Sequence, residues 1–416
     1  MTRVVVTGAG PAGLAAACRA AESGARVTLV DANPRPGGQI WRHADEISAP
    51  ADLRKWTDRL ETAGVVLLSG RTVIDIQDSA VFAQRESGGV EEIAYDRLVL
   101  ACGAQELLLP FPGWTLPHVM GAGGAQVLMK TGMSVRGRRV VVAGSGPLLF
   151  AVAGNLAKAG AKIVTIAEQA PLGKLAAFGL GTMRRHPGKV LEGVGYARHW
   201  LPARYRTGTW IERAHGESRV EAVTLSDGTR SRRVECDLVA CGFGFAPSSE
   251  LAALAGCTRE SGLTVVDDLQ RTSVEAVYAA GEITGVGGVD LAAAEGEVAG
   301  FAAAGNEPEA LRRTARRNRE RAFARLLNSC FDLRPELREL PDNDTIVCRC
   351  EDVTWGRLKN HADLASAKLT TRCAMGPCQG RICANALRFL LGWEMNPVRP
   401  PAFPIRIGDL ISSPRD

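Results

Sequence analysis

Five cysteines crowd one short stretch near the C-terminus. Cys348 and Cys350 stand one residue apart in "CRC", and Cys373, Cys378 and Cys383 follow in "RCAMGPCQGRIC" at two successive C-x4-C spacings. Thiolates grouped this way bind soft metals, and four of them hold either a zinc ion or a [2Fe–2S] cluster. Structural zinc sites use C-x2-C to C-x4-C pairs, so the close CxC favours the iron–sulfur reading. Spacing does not choose four ligands from five, because Cys373/Cys378 and Cys378/Cys383 are equally spaced pairs. Gly376 and Gly380 would let the loop fold tightly around sulfur. Cys383 runs straight into "ANALRFLLG", an apolar-faced helix, and Thr354 is placed to cap the helix after "CRC".

A second group of residues suits phosphate. "GAGPAG" supplies Gly8, Gly10 and Gly13, with Pro11 and Ala12 between them, after the β-branched run "RVVVT" and before an Ala-rich helical stretch. Asp31 lies eighteen residues past Gly13, at the end of the next apolar run. This is the dinucleotide-binding pattern. The first glycine permits the tight turn, the second lets amides approach a pyrophosphate, and the third lets the helix pack on the strand. The helix start favours the phosphate charge, and Asp31 suits the adenosine ribose. "NPRPGGQIW" brings Gly37 and Gly38 as a further close-approach loop beside the same pyrophosphate.

The elements that must hold these groups repeat. "RVVVTG…RVTLVD" near the start is echoed at 138–168 by "RRVVVAG…AKIVTIAE". Two dinucleotide folds in one chain are expected. The second turn, "GSGPLL", keeps Gly144, Ser145 and Gly146 but has Leu149 where the third glycine belongs, which should loosen a phosphate cradle. Glu168 ends the following strand, where it would bind a ribose 2′-hydroxyl and repel a 2′-phosphate. That admits NAD or ATP rather than NADP, with a vestigial fold as the equal alternative. A hairpin is expected to turn at Asp227-Gly228. The arginine-rich stretch 307–329 reads as a helix with Leu311, Ala315, Ala322 and Leu326 on one face and a mainly solvated basic face.

Composition bounds the function. The chain has 416 residues, 46% apolar and 23% charged, ordinary for a globular protein of two or three domains. A net charge of +5 and 5% aromatics give no footing for nucleic acid. The first strand begins too early for a secretory leader, so the six scattered cysteines read as small buried hydrophobes. Residues 140–157 carry no charge, but Gly144, Ser145, Gly146, Pro147 and Asn155 interrupt them, so a buried strand–turn–helix is expected, not a membrane span. His118, His186 and His199 read as structural or surface residues, and no acid–base or nucleophile constellation stands out.

The flavin-type loops carry a family resemblance. The first 305 residues resemble the pyridine nucleotide–disulfide reductase flavoproteins. "LVLACGAQELLLPFPG", with Ala101 and Gly103, looks like their crossover segment, and "VYAAGEITGVGGVDLAAAEG", with Gly281 and Glu282, like their second flavin motif. In many members an Asp stands where Glu282 is. The resemblance implies FAD, and adds Gln39 and Val73 to its binding set. No redox CxxC lies beside that site, so disulfide reduction is not expected. The thiol region resembles the bacterioferritin-associated ferredoxin-like domain, whose last ligand heads the terminal helix. That implies Cys348, Cys350, Cys378 and Cys383 as ligands, with Cys373 as the alternative.

The whole chain resembles the larger electron-transfer subunit of bacterial amine-oxidising complexes, of the hydrogen cyanide synthase, opine oxidase and D-hydroxyproline dehydrogenase type. This implies an α/β fold with two Rossmann-like dinucleotide-binding domains, the second inserted in the first, plus a small helical [2Fe–2S] domain. The boundaries expected are 1–117 with 270–305 for FAD, 118–269 for the NAD-binding-like domain, 306–343 for a basic helix and linker, 344–395 for the cluster, and 396–416 for a proline-rich tail lying extended on another surface. Two partners are implied, a small [2Fe–2S] subunit and a flavoprotein of D-amino-acid-oxidase type, and FMN between subunits is also admitted. The implied location is cytoplasmic, reaching the inner membrane only through the complex. A self-sufficient NADH-dependent FAD/[2Fe–2S] oxidoreductase and a non-catalytic nucleotide-binding scaffold are the competing readings.

Overall fold

The computed structural model describes residues 1–43, 48–197, 203–394 and 398–411. His199, residues 396–397 and residues 412–416 of the tail lie outside these. The chain divides into two units. The first comprises 1–105, 246–325 and 397–416, and the second 106–245 and 326–396.

The first unit is built on a parallel five-stranded sheet in the order Val277–Ala279, Arg97–Leu100, Arg3–Thr7, Arg26–Val30, Val66–Leu68. Val4, Val5 and Val6 are buried, as a central parallel strand covered on both faces requires. The Ala-rich helix Pro11–Glu22 packs against the Ala-rich helix Val289–Ala303 at backbone distance. A Cβ on Gly296 would stand 2.1 Å from the Ala12 carbonyl oxygen, and one on Gly300 2.3 Å from that of Ala16. Small side chains are the condition for this crossing, which explains a helix composition that otherwise looks monotonous. An antiparallel sheet of Arg71–Gln77, Ala80–Arg85 and Val90–Ala94 adjoins. The tail returns to it: the Ala402 amide donates to the Ile74 carbonyl at 2.7 Å, and the Asp409 carboxylate accepts from Gly89 N and Gln84 Nε2.

The second unit repeats the plan. Its parallel sheet runs Arg204–Thr207, Lys162–Glu168, Arg139–Gly144, Leu238–Gly242, Val119–Gly121, again with the glycine-turn strand in the middle. An antiparallel sheet of Trp210–His215, Ala222–Ser226 and Ser231–Glu235 accompanies it, turning through Asp227 and Gly228. The uncharged stretch 140–157 is strand and helix, and among the described residues no helix is long and apolar enough to cross a membrane.

The units part at 105/106 and 245/246, each N-terminal to the expected boundaries at 117/118 and 269/270. Leu109, Phe111 and Trp114 belong to the second unit's core, whereas Leu251, Ala252 and Cys257 pack with Val5 and Leu98 of the first. The thiol region joins the second unit through Ile382 and Phe389, and the Trp114 indole donates to the Ile346 carbonyl at 2.6 Å.

The arginine-rich stretch forms the helix Glu307–Cys330, but its buried face is not the apolar one expected. Leu311 and Ala315 are exposed, whereas Ala310, Arg317 and Ala324 are buried. The basic face is not simply solvated either. Arg317, 0% exposed, donates to Asp268 and Gln270, Arg321 to Glu295 and Gln270, and Arg316 to Glu297. Acidic and amide groups buried in the first unit select the register, because leaving them unpaired would cost more than exposing one leucine.

Candidate functional site

The first glycine turn has the shape a pyrophosphate needs. Gly8 has φ +99°, and a Cβ there would lie 2.4 Å from the Ala101 carbonyl oxygen, so crossover segment and turn touch by backbone alone. A Cβ on Gly13 would lie 1.7 Å from the Gly8 carbonyl oxygen. Gly38, at φ +59°, faces Gly10, and a Cβ on it would come within 3.0 Å of the Gly10 Cα. No side chain caps the helix at Gly10, so its leading amides are left for a ligand. Asp31 is buried at the neighbouring strand end and accepts from the amides of Ala9 and Asn33. Gln39 is exposed, with its Oε1 accepting from Arg42 Nε at 3.1 Å. Val73 sits in the core with Val5 and Val30. Ala101 and Gly103 flank Cys102, whose thiol burial pushes up to about 12, leaving it neutral and unreactive at ordinary pH.

The second flavin-type loop is wired from behind. Gly281, at φ +83°, packs on Ala12, and its amide donates to Glu295 Oε2 at 3.0 Å. Glu282 does not reach outward in this arrangement. Its Oε1 accepts from the Gly288 amide at 3.0 Å, at the head of the helix Val289–Ala303. Burial raises its pKa, against the pull of the Gly288 and Gly287 amides.

The five clustered cysteines form a buried group of three and a separate pair. The sulfurs of Cys348, Cys373 and Cys383 lie within 4.8 Å of one another and are buried. Cys350 and Cys378 pair at 3.6 Å on a more exposed side. Gly376 makes the approach possible, since a Cβ there would stand 2.2 Å from the Cβ of Cys350. Cys373 is 4.0 Å from Cys383, inside the group and not set apart from it. The thiols of Cys373 and Cys383 both bond toward Cys348, favouring it as the thiolate and pushing themselves up. A soft cation would relieve all three at once, so the donor set fits a thiolate-bound metal. Cys383 opens the helix Cys383–Leu391, whereas Cys373 follows the Arg372 C-cap of the helix Leu364–Thr371. Thr354 stands at its expected N-cap without a side-chain cap bond.

A sequence profile of the pyridine nucleotide-disulphide oxidoreductases matches residues 2–297. The chain belongs to this family. It is 31% identical to the opine oxidase A-subunit of Agrobacterium tumefaciens (strain Ach5), across 99% of this chain and 92% of that protein. It is 30% identical to hydrogen cyanide synthase subunit HcnB of Pseudomonas aeruginosa, across 97% and 96%. L-proline dehydrogenase from P. horikoshii shares the fold, with TM-score 0.67 and 20% identity over 98% of this chain and 79% of that one.

As a pyridine nucleotide-disulphide oxidoreductase the chain is a flavoprotein-type oxidoreductase. Its second turn is differently occupied. Gly146 N donates to Glu168 Oε2 and Ala170 N to Glu168 Oε1, both at 2.8 Å, and Glu168 is wholly buried. The Ser145 hydroxyl donates to the Phe331 carbonyl at 2.9 Å. Sequence reasoning missed Glu295, Arg321 and the segment after the long helix. Two acidic residues in the Ala-rich run "DLAAAEGEVAG", ahead of an arginine-rich helix, were the available signal.

Proposed function

We propose that this oxidoreductase is the flavin- and iron–sulfur-bearing electron-transfer subunit of a heteromeric amine or amino-acid dehydrogenase or oxidase. The observation that carries the reading is the gathering of three thiols, with a further thiol pair, in a chain that also has a flavin-type glycine cradle. The likeness to the opine oxidase A-subunit over nearly the full length supports it. A flavin takes two electrons together and a [2Fe–2S] cluster passes them singly, which is the chemistry these groups supply when bound.

The chain's own residues hold and orient. Gly8, Gly10, Pro11, Ala12, Gly13, Gly37 and Gly38 present backbone to the pyrophosphate, and Asp31 takes the ribose. Gln39, Val73, Ala101, Gly103, Gly281 and Glu282 line the remainder of the FAD site. Cys348, Cys350, Cys378 and Cys383 hold the cluster. Cys383 is preferred to Cys373 because a helix N-terminus stabilises a thiolate and a helix C-terminus does not.

A flavoprotein partner of D-amino-acid-oxidase type oxidises the C–N bond of an opine, hydroxyproline or glycine-type substrate and passes the electrons to this chain. A small [2Fe–2S] subunit completes the complex in the cytoplasm. Purified alone, the chain should show flavin and [2Fe–2S] absorbance yet oxidise no amine. Adding the product of a neighbouring reading frame of amine-oxidase type should restore turnover. Robust amine oxidation by the single chain would sink the reading.

A further inference from the structure

The second dinucleotide fold carries the right backbone and the wrong surroundings. In such a fold the adenylate lies over the glycine turn, between the helix start and the acidic residue ending the second strand. Here those groups are Gly144, Ser145, Gly146 and Glu168, with Gln169 next in line. Every polar side chain of this set is already engaged. Both oxygens of Glu168 accept from backbone amides, those of Gly146 and Ala170, as the oxygens of Asp31 do from Ala9 and Asn33, so the difference between the folds lies in what covers the turn. The Ser145 hydroxyl donates to the Phe331 carbonyl and accepts from Gln169 Nε2, each at 2.9 Å. Gln169, 0% exposed, donates also to the Asp332 carbonyl at 3.0 Å and accepts from the Arg334 amide at 3.0 Å.

The segment that takes these bonds is residues 331–334, which follows the helix Glu307–Cys330 directly. It belongs to the same unit as the turn. The Phe331 ring lies over Gly146, where an added Cβ would meet its Cγ at 3.8 Å, and stands edge-on to Phe178 with centroids 4.9 Å apart. Asp332 is ion-paired with Lys174. The backbone carbonyls of Phe331 and Asp332 and the Phe331 ring therefore cover the turn that in the first fold no side chain caps. An anion entering here would displace a hydrophobic ring and disturb three partly buried hydrogen bonds, which cost free energy to leave unmade.

We propose that residues 331–334 are a built-in plug: the chain occupies the adenylate position of its own second fold, which consequently takes neither NAD(H) nor ATP. No nicotinamide route to the flavin then runs through this fold. The inference stands on the second unit alone and does not depend on the relay reading.

The test uses the full chain loaded with FAD. Titrated with NADH and, separately, with ATP, it should show no saturable binding by calorimetry up to about 1 mM, and NADH should not bleach the flavin. A double variant, Phe331→Gly with Asp332→Gly, should gain NADH binding of at least about tenfold higher affinity. Amide exchange covers the case in which that variant does not fold. In the unmodified chain the amides of Gly146 and Arg334 should keep the same protection with and without NADH. Saturable micromolar binding of either nucleotide, or loss of Arg334 protection on adding NADH, would overturn the plug. Amine oxidation by the single chain would leave it untouched while refuting the relay.

Discussion

Arg321 holds Glu295 against the flavin-type loop. Its guanidinium donates to Glu295 Oε1 at 2.7 Å, while Oε2 accepts from the Gly281 amide at 3.0 Å and the Thr284 hydroxyl at 2.7 Å. Glu295 is 1% exposed, so the Arg321 cation is what keeps a charged carboxylate tolerable there. Arg321→Ala should lower stability by about 3 kcal/mol and loosen the loop. The loosening should appear as faster loss of FAD on dialysis, read by flavin fluorescence. Arg321→Lys should recover part of both.

Cys373→Ser should keep the visible absorbance and the iron content of the purified chain. Cys383→Ser should lose both, along with Cys348→Ser, Cys350→Ser and Cys378→Ser. The reverse result for Cys373 and Cys383 would reassign the fourth ligand, and the 4.0 Å between their sulfurs makes the pair the sharpest comparison. Chelation at low pH should strip the metal in every case, because the ligands must be deprotonated to bind it.

Arg317 is a large, completely buried side chain in a helix whose other arginines are partly or fully exposed. Arg317→Ala should cost about 3 kcal/mol, from the cavity and from the lost bonds to Asp268 and Gln270. Arg317→Met, which keeps the volume, should fall between the two in thermal unfolding. Arg316→Ala, at a more exposed position, should cost less than either.

Burial pushes Glu168 from 4.5 up to about 7, against two amide hydrogen bonds. Between these values the folded chain keeps a proton that the unfolded chain has released, so stability falls as pH rises through this window. The stabilisation is fully present below about pH 4.5 and lost above about pH 7, a change of about 3 kcal/mol. Glu168→Gln should flatten that slope in denaturant titrations at pH 5 and pH 8. It should also lower the plateau, because the amide nitrogen cannot accept from Gly146 or Ala170. Glu106 and Glu282 are raised by burial as well, and slope remaining in the variant belongs to them.

The glycine turns, the strand repeat and the thiol run were readable because each is a local pattern with one physical meaning. Gly13 must be glycine whatever else the chain does, since a Cβ would meet the Gly8 carbonyl. The register of the long helix was not readable. Periodicity put Leu311 and Ala315 inward, yet the buried residue is Arg317, chosen by Asp268 and Gln270 some fifty positions earlier. The second turn was half readable. Leu149 announced a poor cradle, but nothing local to residues 331–334 shows that they would lie across it. The interior place of Cys373 was hidden for the same reason, since C-x4-C spacing says nothing about which sulfurs a folded loop turns inward.

The tail that pairs with Ile74 and Gly89 has a consequence for how the molecule is made. The first unit is assembled from residues 1–105, 246–325 and 397–416, so its closing strap is the last of the three segments to leave the ribosome. Domains usually fold in the order they are synthesised. Here the opening segment must wait for the closing one, and the second unit, whose residues end at 396, is complete first. A nascent or truncated chain would therefore carry both the glycine turns and the thiols while the antiparallel sheet of the first unit still lacks its strap.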